Sequence, residues 1–144
     1  MSALQGGRLS LFDNFIRPAV LFVLTIATTS FAFSQDLLSG VEQRYGSEAR
    51  SRVAAWQQLM VGIVESSEDD LTNIKYANDF FNRVKWISDQ EHWGIEDYWA
   101  TPIETLATNA GDCEDFSVGK YFTLQNTHFD IDKIRITYVK ALDL

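Results

Sequence analysis

Apolar residues recur at three- and four-residue steps through the middle of the chain and switch to alternation near its end. Val53, Trp56, Met60 and Ile63 share one face at helical spacing. A shorter helical pattern, Asp36 to Tyr45, precedes them and meets Gly46, a natural helix stop. Ser47 is placed to cap the helix that follows. The acidic run Glu65 to Asp70 (ESSEDD) interrupts the periodicity and reads as a solvated turn. Beyond it, Asp70 is expected to cap a third helix with Leu71, Ile74, Ala77, Phe81 and Val84 on one stripe. Residues 88–102 set Gly94 and Pro102 among aromatics and read as irregular. A fourth helix is expected over 112–126. Ile134, Ile136 and Tyr138 then alternate with Arg135, Thr137 and Val139, which predicts a strand over 133–141.

The N-terminus changes this picture. Residues 19–33 (AVLFVLTIATTSFAF) carry no charge, with Arg8 and Arg17 ahead of them. Ala32 and Ser34 supply small residues two apart, the spacing a signal peptidase prefers. Residues 1–34 are therefore expected to be a signal peptide, the mature protein starting at Gln35 in the periplasm. A retained membrane anchor is the alternative, because the leading segment is long and carries Asp13. The apolar run is short for a bilayer span of about 20 residues.

Composition sets further limits. The 144 residues are 46% hydrophobic with four Trp and ten Phe, enough for one packed domain. A net charge of −8 argues against nucleic-acid binding, which needs clustered Lys and Arg. One cysteine excludes an internal disulfide.

The chemistry concentrates at Gly111-Asp112-Cys113-Glu114-Asp115-Phe116. Asp112 can cap a helix, and Asp115 three positions later completes a capping-box pattern. Cys113 then opens the helix, where the dipole and unpaired N–H groups favour thiolate over thiol. Asp112, Glu114 and Asp115 oppose this, since neighbouring negative charge raises a thiol pKa. A bound cation would resolve the conflict, and carboxylate oxygens suit Ca²⁺. On these residues alone, a structural cysteine in a capped acidic turn competes with a nucleophile.

Several segments together resemble the bacterial transglutaminase-like cysteine proteases. They are Asn78-Asp79-Phe80-Phe81-Asn82, residues 97–104 (DYWATPIE), residues 111–116 (GDCEDF), Lys120-Tyr121-Phe122 and residues 135–141 (RITYVKA). The resemblance implies an α+β, papain-like fold, mostly helical here with the first core strands, in which the cysteine opens a helix packed on a sheet. It implies Cys113 as nucleophile, Asp112 and Glu114 as ligands of a required Ca²⁺, and large surface adhesins as protein substrates in biofilm release. It also implies an inner-membrane regulatory receptor as partner. The family's His and Asp lie downstream of the strand expected over 133–141, and the sequence ends at Leu144 ahead of both, so 35–144 is read as a C-terminally incomplete, inactive protease domain. His92 and His128 do not occupy the family's position and read as loop or surface residues. A transglutaminase-like acyl transferase and a non-catalytic calcium- or partner-binding remnant remain the competing readings.

Overall fold

The computed structural model describes residues 32–139. The apolar run up to Phe31 and residues 140–144, with the end of the expected strand, lie outside the described residues.

Helix α1 (Gln35–Tyr45) begins where the Ser34 hydroxyl accepts the Leu37 N–H at 3.1 Å. Gly46 ends it with φ 91°, a conformation that favours glycine. The same glycine is the N-cap of α2 (Ser47–Glu65), so Ser47 is its first helical residue and not its cap. Helix α3 (Asp70–Phe81) is capped one residue earlier than the sequence pattern predicts. Asp69 is extended, and its Oδ1 accepts the Thr72 N–H at 2.8 Å, while Asp70 is already helical. Leu71 departs from the expected stripe and is 77% exposed, since the buried face begins at Ala77. Its turn sits in solvent beside the Asp70–Lys133 ion pair (3.0 Å).

The stretch read as irregular is more ordered than expected. Strand β1 (Lys85–Trp86) leads to a single helical turn, α4 (Asp89–His92). Helix α5 (Pro102–Thr108) starts with a full capping box between Thr101 and Glu104, with Pro102 at the first position. Asn109 turns the chain at φ 56° into β2 (Ala110–Gly111). β1 and β2 pair in parallel, Lys85 opposite Ala110 and Trp86 opposite Gly111. Helix α6 (Cys113–Gln125) follows after a single residue.

The strand expected over 133–141 does not form among the described residues. Ile131–Lys133 is a 3₁₀ turn, and 134–139 carries no ladder partner. Alternation marks a segment able to pair; it does not supply the neighbouring strand whose N–H and C=O groups complete the ladder.

Helix α2 packs on α1 and α5, while α6 lies against α3 and α5. Trp56 and Phe81 meet edge to face at 6.2 Å, and the Trp56 Nε1–H donates to Thr123 Oγ1 at 2.7 Å. Arg52 donates from Nε to the Leu106 carbonyl (2.6 Å) and from its guanidinium to that of Ala107 (2.8 Å), satisfying carbonyls at the end of α5. Phe33 also joins the core, its ring 5.4 Å from Trp56 and its N–H on Gln57 Oε1 at 3.1 Å. Helix α6 approaches α3 so closely that a Cβ at Gly119 would meet the Phe81 ring at 2.1 Å.

Two glycine substitutions should therefore have opposite signs. Gly119→Ala forces Phe81 out of place and should cost about 1–3 kcal/mol. Gly62→Ala, in α2 with open space around it, should stabilise by about 0.5–1 kcal/mol through helix propensity. Urea unfolding of the two variants checks this, and equal effects would show that the α3–α6 contact is not tight.

Candidate active site

Gly111 and Asp112 deliver the chain from β2 directly into α6. Cys113 takes the first helical position and is exposed. Its thiol therefore sits at the N-terminal end of a helix of 13 residues, beside amides that lack helical partners. The Ser117 hydroxyl donates to the Cys113 carbonyl at 2.7 Å.

Asp115 fixes this geometry. It is fully buried; its Oδ1 accepts the Ala100 N–H at 2.8 Å and its Oδ2 the Asp112 N–H at 3.3 Å. One carboxylate thus joins the segment before α5 to the start of α6. Gly111 is required beside it, because a Cβ there would lie 2.8 Å from Asp115 Oδ2. Burial pushes the Asp115 carboxyl upward, while the two amide donors favour its ionised form.

A second buried carboxylate comes from α4. Asp89 is 3% exposed and its Oδ2 accepts the Tyr98 N–H at 2.6 Å. The loop closed by this bond brings one oxygen each of Asp89, Asp112 and Glu114 within 4.8 Å of one another. Asp112 Oδ1 is buried without a hydrogen-bond donor. Burial first, and then the Glu114, Asp89 and Asp115 carboxyls, push Asp112 up to about 7. An unsatisfied oxygen within a set of carboxylates fits a hard cation that takes oxygen ligands, and Ca²⁺ better than the strictly octahedral Mg²⁺.

Cys113 opens onto a cleft of 280 Å³ lined by Trp99, Glu114, Ser117 and residues 136–139. Trp99 is 47% exposed and Tyr138 66%, their ring centroids 6.5 Å apart. Trp93 and Tyr98, the neighbouring aromatics, are part-buried. No histidine lines the cleft among the described residues. His92 stacks on Trp93 at 4.2 Å, and His128 is exposed past the end of α6.

The structure thus brings Cys113, Asp112 and Glu114 together as the motif implied, since they are consecutive. Asp89, 23 positions before Asp112, was not visible as a partner. Its linear signal is only that of an acidic residue opening a short turn after Ser88, which is shared by many solvated caps. Tyr138 was read only as part of an alternating strand, and Trp99 as an aromatic that could line a groove but more often belongs to a core.

The description "bacterial transglutaminase-like cysteine proteinase" matches residues 43–143. Among solved structures, the chain is similar to Legionella pneumophila LapG in an EGTA-treated form (31% identity, TM-score 0.55). It is equally similar to LapG described without treatment (31%, 0.55) and to calcium-bound LapG (30%, 0.55). Each match covers 69% of this chain and 53–54% of the LapG chain, so the chain spans about half the length of those proteins. No curated protein sequence matches it.

The raised Asp112 carboxyl makes cation-free stability pH-dependent. Its folded value of about 7 exceeds the unfolded 3.8. Between those limits the folded state binds more protons, so stability is fully present below pH 3.8 and falls as pH rises through 7. Asp115 acts in the same sense, whereas Asp69 and Glu104, both lowered, act oppositely at the acid end. Thermal melts in chelator from pH 5 to 8 should show a falling midpoint that flattens in Asp112→Asn. An identical slope in the variant would show that Asp112 is not the strained group.

Proposed function

The chain belongs to the bacterial transglutaminase-like cysteine proteinase family, and from that premise we propose that it carries the nucleophile and cation site of a calcium-dependent periplasmic endopeptidase. The carrying observation is one juxtaposition. An exposed Cys113 at a helix N-terminus opens onto a cleft, and three carboxylates converge beside it.

In this reading the Cys113 thiolate attacks the scissile carbonyl, the C–N bond breaks, and the amine leaves with a proton. Amides at the start of α6 are placed to stabilise the developing oxyanion. The base that takes the thiol proton is an imidazole, which the resemblance assigns to a position downstream of the described residues. Water then hydrolyses the thioester. Asp89, Asp112 and Glu114 would hold Ca²⁺, and when bound it supplies positive charge that offsets the carboxylates around the thiol. The similarity to a calcium-bound LapG supports calcium as the ion. The substrate class is a large surface adhesin, cut in the periplasm to release a biofilm. Its cut site would enter the Trp99–Tyr138 cleft, and an inner-membrane receptor would control access.

Calorimetry on the cation-free protein tests the metal half. Ca²⁺ should bind, Mg²⁺ should compete poorly, and Asp89→Ala, Asp112→Ala and Glu114→Ala should each weaken binding by roughly tenfold or more. The catalytic half is tested on a chain extended to the full length of its relatives. Cleavage of an adhesin with Ca²⁺ present should disappear in Cys113→Ala, because members of a catalytic unit fail together. Full activity of that variant would remove Cys113 from the mechanism.

A further inference from the structure

The Ala32–Ser34 spacing marks a cut after Ser34, but Phe33 and Ser34 are built into the domain. The Phe33 ring packs on Trp56 at 5.4 Å, and its N–H is held by Gln57 Oε1 at 3.1 Å. Ser34 caps α1 twice: its hydroxyl accepts the Leu37 N–H at 3.1 Å and its carbonyl the Leu38 N–H at 3.2 Å. A cut after Ser34 would remove all four interactions. It would also leave a positive α-amino group on Gln35, the first residue of α1, where the helix dipole disfavours cations. Phe33 further lines an apolar cleft of 530 Å³ with Trp56, Trp99, Ile103, Val118 and Phe122, so its loss would expose the Val118–Phe122 flank of α6.

We infer that processing falls ahead of Phe33, so that Phe33 and Ser34 belong to the mature protein. Thr28 with Ser30, and Ser30 with Ala32, provide small residues at the same two-residue spacing as Ala32 and Ser34. The run Ala19 to Ala27 (AVLFVLTIA) then remains as an apolar core within the length usual for signal peptides. Phe33 and Ser34 stay with the fold. The inference rests on the export reading above and moves the cut to the N-terminal side of Phe33.

The test is expression of the whole chain in a Gram-negative host, followed by fractionation, intact mass and N-terminal sequencing. Periplasmic protein starting at Phe31 or Phe33 is expected. A periplasmic start at Gln35 overturns the inference while leaving export intact. An unprocessed chain starting at Met1 overturns both. One variant separates the sites. Ser30→Leu disrupts both upstream pairs and leaves Ala32 and Ser34 intact, so it should abolish the wild-type start; an unchanged start overturns the inference. Stability gives an independent readout. Protein starting at Phe31 should melt several degrees above protein starting at Gln35, and equal midpoints would show that Phe33 and Ser34 contribute nothing to the fold.

Discussion

The arrangement around Cys113 depends on one buried carboxylate. Asp115 has no solvent contact, yet it accepts amides from Ala100 and Asp112. A buried charged group is tolerated only when its hydrogen bonds are made, and these two are contributed by segments that would otherwise be independent. The bond to Ala100 fixes the backbone next to Trp99, and so one wall of the cleft. The bond to Asp112 fixes the entry to α6, and so the position of the thiol. Gly111 completes the constraint, because any side chain there would occupy the space of the carboxylate.

Helix α6 is held by this same logic. Its buried residues Asp115, Gly119 and Thr123 fall at four-residue steps, with Leu124 beside them and Phe116 part-buried against the core. Asp115 binds backbone amides, Gly119 admits the Phe81 ring, and Thr123 receives the Trp56 indole N–H. Helix α6 is thus docked by hydrogen bonds and close backbone approach as well as by apolar packing of Phe116 and Leu124. The larger apolar burial comes from Trp56, Met60, Phe81 and Leu106 on the surrounding helices.

The site also contains an unresolved electrostatic tension. The start of α6 favours negative charge, but Asp89, Asp112 and Glu114 together exceed what one helix end can stabilise. Protonation of Asp112 near neutral pH relieves that repulsion in the protein without a cation. A bound divalent ion would relieve it without adding a proton, leaving the field at the thiol more favourable to the thiolate. The same few carboxylates thus set both the local fold and the charge around the thiol.

The sequence by itself determined the first three helices to within a residue or two, because Val53, Trp56, Met60 and Ile63 repeat at the helical period and glycine or acidic caps punctuate them. It also determined that Asp112 and Asp115 would bracket the thiol, since a helix start places residues three apart within reach. Resemblance along the DYWATPIE, GDCEDF and RITYVKA segments identified the family, while α5 was missed, although Thr101, Pro102 and Glu104 carry its capping box. Only the tertiary structure decided the rest. Asp89 reaches Asp112 because the Tyr98 amide closes a loop, a contact that linear spacing cannot encode. Residues 134–139 alternate like a strand, yet pairing needs a neighbour, and none lies among the described residues. Ser34 sits in a pattern suited to cleavage, but it caps α1 while Phe33 packs on Trp56. Local pattern fixes what a segment can do by itself; which partners it meets is set by the packing of the whole chain.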